Sequence, residues 1–408
     1  MRFNSIIFTT NMKLLTEKKS KLLNRLTDMV SSQITHLYIF MEFAPLSSWF
    51  PNNPNWNTDK KPLFIAGPCS AETPEQLMET CQDIAKDNRV QVLRAGIWKP
   101  RTRPNQFEGV GKIGLEWLLD VKKATGKLIT TEVAKPEHVE EALKHGVDIL
   151  WIGARSVVNP FTMQEIADSL KGIDVPVIVK NPINPDVALW MGGIERIYQS
   201  GITKMAALHR GFSSYGNTKY RNEPMWQLAI EIKSKLPSLP LLCDPSHIGG
   251  KRELIYPLSQ KAMDLNYEGL MIETHRSPDD AWSDASQQVT PQRLAEILDK
   301  LVIRTGNLET LEKAGLSDKL QELRNQIDKI DREVVENFVA RLELVKQIGD
   351  YKRENNLPVF QLDRWQKVFE SRPEWAETMD INPDFVSAVF KLIHDESIRI
   401  QTERKEDF

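Results

Sequence analysis

The amino-acid sequence predicts an α/β fold, a (β/α)8 TIM barrel, followed by an all-helical domain. Two observations lead to this prediction. Between residues 60 and 300, short apolar runs alternate with polar loops and amphipathic stretches, and there are eight such runs. Beyond residue 317 no strand pattern is found, and the apolar residues recur at helical spacing. Such alternation is typical of parallel strands joined by crossover helices, and eight units in about 240 residues match a closed barrel.

The eight apolar runs are the predicted strands of the barrel. In chain order they are residues 63–67, 90–96, 127–133, 149–154, 175–180, 202–209, 240–244 and 269–275. Helical patterns lie between them, for example at 74–87, 136–146 and 162–170. A doubly wound open sheet is the alternative, but no Gly-rich dinucleotide-binding turn follows the first run.

These patterns also set the expected domain boundaries. We expect the barrel at 59–301, a linker at 302–316 and the helical domain at 317–405. Residues 1–58 are expected to be an N-terminal extension that is disordered or whose first 40 residues precede a start at Met41. A transit peptide is the alternative for those 40 residues, because they are basic and rich in Ser and Thr.

The composition excludes several classes of function. Apolar residues make up 41% of the chain and charged residues 27%, as in ordinary globular proteins. A net charge of −3 gives no global attraction to nucleic acid or to a membrane surface, and no apolar run is long enough to span a membrane. Three cysteines are too few for a disulfide scaffold, so we expect a cytoplasmic protein.

The sequence VIVKNP, residues 177–182, raises a specific question, because a strand made for the interior ends in a lysine. An unpaired buried charge is costly, so Lys180 must lie at the mouth of the barrel or face an anion. The other predicted strands also end in polar groups, and catalytic groups of such barrels gather at that end. A shared functional rim is therefore favoured over eight independent solvated loop charges.

Six cations are expected on this rim, and they need anionic ligands. Arginine guanidinium groups match phosphate and carboxylate oxygens in pairs, and six cations would suit about three anionic groups. The cations are Arg94, Lys99, Arg101, Arg155, Lys180 and Arg210.

A second set of rim residues combines soft and hard metal ligands. It consists of Cys69, His247, Glu273 and Asp284. A thiolate, an imidazole and two carboxylates suit a divalent Mn, Fe, Co or Zn ion better than Mg or Ca. Taken singly, a buried cysteine is usually a packing residue and a loop histidine usually a hydrogen-bonding one. Their joint occurrence at strand ends favours a metal site.

Seven motifs on this rim carry a family resemblance. They are GPCS (67–70), LRAG with KPRT (93–102), IGARS (152–156), VKNP (179–182), HRG (209–211), DPSHIGG (244–250) and ETH (273–275). With them the chain resembles the bacterial barrel type, type I beta, of 3-deoxy-D-arabino-heptulosonate 7-phosphate (DAHP) synthase over about residues 60–300. The resemblance implies condensation of phosphoenolpyruvate with D-erythrose 4-phosphate, the first step of the shikimate pathway.

The resemblance also implies roles for individual residues. The family's metal ligands fall on Cys69, His247, Glu273 and Asp284, and Lys99 is the candidate for proton delivery to the new alkoxide. The sugar phosphate would be held by Arg101 and Thr102 of the KPRT motif. The contacts to phosphoenolpyruvate fall on Arg94, Lys99, Glu132, Arg155, Lys180 and Arg210.

Two alternatives for the barrel stay open. A Schiff-base aldolase could use Lys180 as its nucleophile, but it would leave Cys69 and the carboxylates without a role. A sister synthase acting on arabinose 5-phosphate is closer, and the pair Arg101 and Thr102 argues for the four-carbon sugar instead.

The helical domain begins with a pattern that predicts one long helix. Residues 320–356 contain no Pro and no Gly before Gly349, which predicts a helix of about 35 residues and roughly 50 Å. A helix of that length needs a partner chain to cover it. Arg341 and Lys352 share a face, whereas Arg324 points elsewhere, so an antiparallel partner would supply Arg324 to the other chain's site. We therefore expect a homodimer through this domain.

The sequences of 323–352 and HDESIRIQ (394–401) resemble the all-helical AroQ-type chorismate mutases over about residues 317–404. The resemblance implies rearrangement of chorismate to prephenate with no cofactor. Arginines would bind the two carboxylates, and Lys352 and Gln401 would hydrogen-bond the ether oxygen. The implied site residues are Arg324 of the partner chain, Arg341, Lys352, Arg364, Ser397 and Gln401.

One position departs from the family pattern. Trp365 follows Arg364 where the family commonly has a glutamate that meets the substrate hydroxyl. A catalytically dead domain that only regulates or dimerises therefore remains an alternative. Fusion of the two domains suggests feedback by chorismate or prephenate on the barrel, with a simple tether as the other interpretation.

Overall fold

A computed structural model of the chain describes residues 41–53, 56, 62–99, 107–215, 219–304 and 317–403. The chain divides near residue 305 into two compact units, each described by itself below. No helix within the described ranges is long and apolar enough to cross a membrane.

The first unit is a closed barrel of eight parallel strands, which confirms the predicted fold class. Each strand pairs with its neighbours in sequence, and the last strand pairs with the first in register from Leu63–Gly269 to Gly67–Glu273. The strands β1–β8 are Leu63–Gly67, Val90–Arg94, Leu128–Val133, Ile149–Ile152, Val177–Lys180, Met205–His209, Leu241–Cys243 and Gly269–Glu273.

Eight helices of at least 9 residues, one after each strand, surround this barrel in the described ranges. Several begin with a side-chain cap followed by proline: Thr73 and Thr290 each accept a hydrogen bond from the backbone three residues on. The helices α1–α8 are Pro74–Ala85, Ile113–Thr125, Pro136–Lys144, Pro160–Ser169, Val187–Gln199, Trp226–Lys235, Ile255–Asp264 and Pro291–Lys300. Two short helices, Ala154–Val157 and Pro245–Gly249, directly follow β4 and β7.

The sequences of the strands are predominantly apolar because both faces of each strand are buried. One face packs outward against the helices. The other forms an inner core that includes Ile65, Val92, Trp151 and Met271. With these side chains filling the barrel, the chemistry is confined to its two ends.

A segment of the N-terminal region packs at the N-terminal ends of the strands. Leu46, Trp49 and Trp56 belong to the inner core, and the backbone N–H of Ala44 donates to the carbonyl of Thr203, just before β6. The expectation that residues 1–58 are disordered therefore does not hold for 41–53 and 56. Two tryptophans bury enough apolar surface to order the segment.

The second unit consists of three helices in the described range, α9 (Ser317–Glu354), α10 (Leu362–Thr378) and α11 (Pro383–Thr402). The long α9 agrees with the helix predicted at 320–356. Along it Ile327, Ile330, Val335 and Val339 are exposed. In a single chain this apolar stripe has no cover from the described residues of its own unit.

Candidate active sites

The predicted rim forms where the strands end. Arg94, Lys180 and Glu273 are the last residues of β2, β5 and β8, and Glu132 is the fifth residue of β3. Cys69 follows β1 by two residues, Arg155 lies in the short helix after β4, and Arg210 directly follows β6. Because all eight strands are parallel, their C-terminal ends meet at one end of the barrel.

Three of the four predicted metal ligands converge on one point. Ligand atoms of Cys69, Glu273 and Asp284 all lie within 4.8 Å of one another. The thiol of Cys69 is 3.4 Å from Oδ2 of Asp284. Asp284 adopts a left-handed backbone conformation with φ of 50°, which Asp tolerates better than most residues. This turn brings its carboxylate back toward the strands.

His247 lies beside this cluster, although it is not one of the three mutually close residues. Its Nε2 is 3.8 Å from Oε1 of Glu273, and its Nδ1 is 2.8 Å from Oδ2 of Asp244. The carboxylate beside Nδ1 favours a proton on that nitrogen of a neutral imidazole, and Nε2 then keeps its lone pair. Metal-binding histidines commonly have a carboxylate beside the ring nitrogen that does not bind the metal.

The electrostatics of the cluster suit a cation. Burial, together with the nearby carboxylate of Glu273, raises the pKa of the Cys69 thiol to about 12. Burial opposes ionisation of Glu273 and Asp284 too, yet neighbouring cations hold the pKa of both below their usual values. A soft sulfur and two ionised carboxylates in so small a space fit a divalent transition ion.

Arg94 and Lys180 are held by carboxylates of the protein itself. Nη2 of Arg94 lies 3.2 Å from Oε1 of Glu273, and Nζ of Lys180 lies 3.0 Å from Oδ2 of Asp244. Lys180, which is expected to face a ligand anion, pairs with Asp244 of the protein itself. Nε and Nη1 of Arg94 are buried without a hydrogen-bond partner among the described residues, so they remain available to a ligand.

The other predicted contacts lie around the same rim. Burial, with a contribution from the nearby cations Arg221 and Arg155, lowers the pKa of Arg210 to about 10, although Asp244 opposes the shift. Cations that close to one another favour an anionic ligand. Lys99 reaches the cluster directly, because its Nζ is 3.1 Å from the sulfur of Cys69. Arg101 and Thr102 lie outside the described residues.

Glu132 is anchored within the rim. Its Oε2 accepts a hydrogen bond from Nε1 of Trp151 at 3.2 Å. Gly153 makes room for it, since a Cβ at that position would lie 2.0 Å from Oε1 of Glu132. The guanidinium group of Arg94 also lies over the indole of Trp151, with Cζ of Arg94 4.8 Å from the ring centroid.

In the helical unit, three predicted residues form one hydrogen-bonded group. Nη1 of Arg341 donates to Oγ of Ser397 at 2.8 Å, and Nε2 of Gln401 donates to the carbonyl of Ser397 at 3.0 Å. A Cβ at Gly349 would lie 3.1 Å from Cγ of Gln401, so this helical glycine lets α11 approach α9 closely. Lys352 donates to the carbonyl of Val359 at 2.6 Å.

Three arginine side chains, Arg341, Arg364 and Arg372, lie near one another in this part of the helical unit. Burial lowers the pKa of Arg341, and the charges of Arg372 and Arg364 lower it further. Arg324 is exposed and makes no hydrogen bond or ion pair with the described residues of its own chain. Trp365 packs against Phe369, with ring centroids 4.7 Å apart.

Comparison with known proteins agrees with both resemblances. The model of the DAHP synthetase I family matches residues 55–308, which is more than half of the chain. The chain belongs to the DAHP synthetase I family. The model described as chorismate mutase type II matches residues 323–402, so the helical unit is a chorismate mutase domain.

Individual relatives of this DAHP synthetase I family member match the barrel region. The phospho-2-dehydro-3-deoxyheptonate aldolase of Thermotoga maritima is 34% identical over 238 residues, 58% of this chain and 68% of the relative. A crystal structure of the Thermotoga maritima protein has a TM-score of 0.54 at 31% identity, over 59% of this chain and 68% of that one. The 2-dehydro-3-deoxyphosphooctonate aldolase of Wolinella succinogenes is 27% identical, over 59% of this chain and 98% of the relative.

Both predicted families are thereby confirmed. The chain combines a DAHP synthase domain, of a transferase family, with a chorismate mutase domain, of an isomerase family. That combination is the domain content of a bifunctional enzyme of the shikimate pathway.

Several contacts in the DAHP synthase domain could not be predicted from the sequence. Asp244, which follows the seventh predicted strand and begins the DPSHIGG motif, pairs with both Lys180 and His247. Arg221 lies 3.0 Å from Oδ1 of Asp284, and Gln287 donates to Glu273. Nothing in the spacing indicates either contact, because the first joins the loops after β6 and β8 and the second depends on how the loop after β8 folds back onto the end of that strand. In the mutase domain, the sequence analysis did not single out Arg372, which lies within α10.

Proposed function

We propose that the barrel condenses phosphoenolpyruvate with D-erythrose 4-phosphate, and that it requires a divalent Mn, Fe, Co or Zn ion. Cys69, Glu273 and Asp284 would bind the ion with Nε2 of His247. The observation that supports this most directly is the convergence of the first three ligands within 4.8 Å. When bound, such an ion acts as a Lewis acid toward a carbonyl oxygen.

The cations of the rim would bind and orient phosphoenolpyruvate. Arg94 has two unpartnered buried N–H groups among the described residues, and with Lys180 and Arg210 it can receive the phosphate and the carboxylate. The enol carbon then forms the new bond to the aldehyde carbon of the sugar. Water adds to the enol-ester carbon, and cleavage of its bond to the phosphate oxygen releases phosphate and leaves the ketone.

Proton delivery is assigned to Lys99. Its Nζ lies 3.1 Å from the sulfur of Cys69, so the ammonium group already lies next to the metal ligands where the aldehyde oxygen would bind. From there it can protonate the alkoxide that forms on that oxygen. Glu132 and Arg155 complete the contacts to phosphoenolpyruvate, and Arg101 and Thr102 would bind the sugar phosphate.

Paired cysteine variants test this proposal. Cys69→Ser should abolish synthase activity and leave chorismate mutase activity intact, because only the barrel would need a cation. Cys81→Ser is the matched control, since Cys81 is equally buried but lies in α1. A chelator should act as Cys69→Ser does. An active Cys69→Ser enzyme, or trapping of a lysine adduct by borohydride, would overturn the proposal, the latter in favour of the Schiff-base aldolase.

The identity of the sugar is tested separately. The relatives of this barrel include 2-dehydro-3-deoxyphosphooctonate aldolases, so D-erythrose 4-phosphate and D-arabinose 5-phosphate should be offered in parallel to the intact enzyme. We expect turnover with the four-carbon sugar. A larger kcat/KM with the five-carbon sugar would assign the barrel to the sister reaction instead.

We further propose that the helical unit converts chorismate to prephenate without a cofactor. Arg341 and Arg364 would bind the carboxylates of chorismate, while Lys352 and Gln401 donate hydrogen bonds to its ether oxygen. The contact between Arg341 and Ser397 supports this placement. Donors preset around an oxygen that gains charge in the transition state lower the barrier. Direct measurement of chorismate loss separates this proposal from a dead regulatory domain.

The mutase site is proposed to form only in a homodimer, with Arg324 of one chain completing the site of the other. The exposed apolar stripe of α9, which includes Ile327 and Ile330, would be the interface. Mixing inactive Arg324→Ala and Arg341→Ala chains should restore about a quarter of the activity, because half of the dimers are mixed and each has one intact site. No recovery on mixing would refute a shared site.

Feedback between the two activities is the last part of the proposal. Prephenate or chorismate bound by the mutase domain would lower synthase activity, and linkage makes the coupling reciprocal. In full-length enzyme carrying Arg341→Ala, inhibition of the synthase by prephenate should disappear. If prephenate leaves the unaltered enzyme unaffected, the domains are only tethered.

We place the enzyme in the cytoplasm, where its three free cysteines stay reduced.

A further inference from the structure

A buried glutamine contacts the candidate metal cluster without belonging to the predicted ligand set. Gln287 lies in the loop between Asp284 and α8 and has no exposed surface. Its Nε2 donates a hydrogen bond to Oε2 of Glu273 at 2.6 Å. That bond engages one oxygen of Glu273, while Oε1 accepts no well-aligned hydrogen bond from the described residues.

The orientation of the Gln287 amide is determined by Arg221. A guanidinium group can only donate hydrogen bonds, so the oxygen of the amide must face it. Nη1 of Arg221 is 2.5 Å from Oε1 of Gln287 and 3.0 Å from Oδ1 of Asp284. The amide nitrogen is thereby directed at Glu273. Arg221 and Gln287 form a continuous link between two of the proposed metal ligands.

The neighbouring residue supports the third ligand. Oε1 of Gln288 accepts from the backbone N–H of Cys69 at 2.9 Å, and its Nε2 donates to the carbonyl of Ser283 at 2.9 Å. Two successive glutamines therefore connect the loop that carries Asp284 to the ends of β1 and β8. Both are fully buried, where leaving such an amide unpaired would be costly.

We propose that Gln287, held by Arg221, is a positioning residue that presents Oε1 of Glu273 to the divalent cation and so sets the affinity of the barrel for it. The inference rests on the proposed function. Gln287 would touch neither ion nor substrate. It acts by restricting the rotation of the Glu273 carboxylate, as outer partners of metal ligands commonly do, with effects of about 10- to 100-fold on affinity.

Substitution by leucine provides the test, because leucine keeps the volume of Gln287 but can neither donate to Glu273 nor accept from Arg221. The probe is Co²⁺ added to the metal-free full-length protein, with the thiolate-to-cobalt absorption band as the readout. Gln287→Leu should bind Co²⁺ about 10-fold more weakly than the parent and alter the band. Binding within twofold of the parent, with an unchanged band, would overturn the proposal.

The chain offers a matched control at Gln164. There too a glutamine links an arginine to a carboxylate, since Arg196 donates to Oε1 at 2.6 Å and Nε2 donates to Asp168 at 3.1 Å. This link lies on the outer helices, so Gln164→Leu should leave Co²⁺ affinity unchanged. An equal loss in both variants would attribute the effect to general destabilisation and overturn the proposal.

Two further variants keep the test decisive. If Gln287→Leu fails to fold, Arg221→Met removes the group that orients the amide at a partly exposed position, and the same weakening is expected.

Cys69→Ser separates the two levels of inference. If it leaves Co²⁺ binding and the band intact, the proposed metal site itself is wrong. If it abolishes the band while Gln287→Leu and Arg221→Met do not weaken binding, only the positioning role is wrong.

Discussion

Removal of the Lys180 ammonium group should destabilise the barrel far more than removal of a surface lysine. Nζ of Lys180 is 3.0 Å from Oδ2 of Asp244, and the two side chains are 6% and 0% exposed. Lys180→Met keeps the packing of the aliphatic chain but leaves the buried carboxylate with one neighbour fewer. The perturbation therefore isolates the charge.

The expected magnitude follows from the burial of the pair. Removing one partner of a buried ion pair costs about 3–5 kcal/mol, because the other charge stays buried without compensation. Asp244 keeps His247 at 2.8 Å and the backbone N–H of that residue at 3.0 Å, so we expect the lower end, about 3 kcal/mol. The double variant Lys180→Met with Asp244→Asn removes the unpaired charge and should recover part of this loss.

Urea unfolding followed by far-UV circular dichroism measures the effect as a change in the free energy of unfolding. Lys204→Met is the matched control, because Lys204 pairs with Asp174 at 2.7 Å but that aspartate is 80% exposed. The control should lose at most about 1 kcal/mol. A Lys180→Met barrel as stable as the control, or a double variant no better than the single one, would refute the reasoning.

Three other predictions concern titration and the mutase site. Burial lowers the pKa of His209 from 6.5 to about 4. As the pH falls below 6.5, the unfolded chain protonates His209 before the folded barrel does. The barrel should therefore lose about 2 kcal/mol of stability between pH 7 and pH 5. In urea unfolding, the His209→Gln variant should lack this pH dependence. Gln401→Glu should make mutase activity acid-dependent, since only the protonated acid donates to the ether oxygen. A pH–rate profile as flat as the parent's would contradict this. Trp365→Glu restores a hydrogen-bond acceptor and should raise kcat/KM for chorismate up to about tenfold, and an unchanged value would show that the hydroxyl is recognised elsewhere.

The pH prediction also shows where a sequence pattern misleads. His209 ends a strand, as the functional groups of the rim do. In the structure its Nε2 donates to the carbonyl of Pro224 at 2.6 Å, and its Nδ1 accepts from the hydroxyl of Tyr267 at 2.9 Å. Both ring nitrogens are therefore used within the scaffold. A position at a strand end predicts where a side chain begins and leaves its direction open.

The fold and the general place of the site could be predicted from the sequence because they depend on local periodicity. Alternating apolar runs and helical patterns specify parallel strands, and parallel strands bring their ends together whatever their order in the chain. Cys69 and Asp284 are 215 residues apart and still lie in contact distance. The same reasoning predicted the long helix α9 of the mutase domain from its apolar spacing, and this helix is 38 residues long.

Pairing between side chains could not be predicted in this way. The sequence by itself determined that Lys180 needs an anion, that soft and hard ligands share one rim, and that one face of α9 needs a cover. Only the tertiary structure decided that the anion is Asp244, that Arg221 and Gln287 connect Asp284 to Glu273, and that Trp49 and Trp56 pack into the inner core. The physical reason is that periodicity encodes which way a strand or helix faces, whereas contacts between loops depend on how the loops are placed in space, whether the partners are 14, 64 or 66 residues apart.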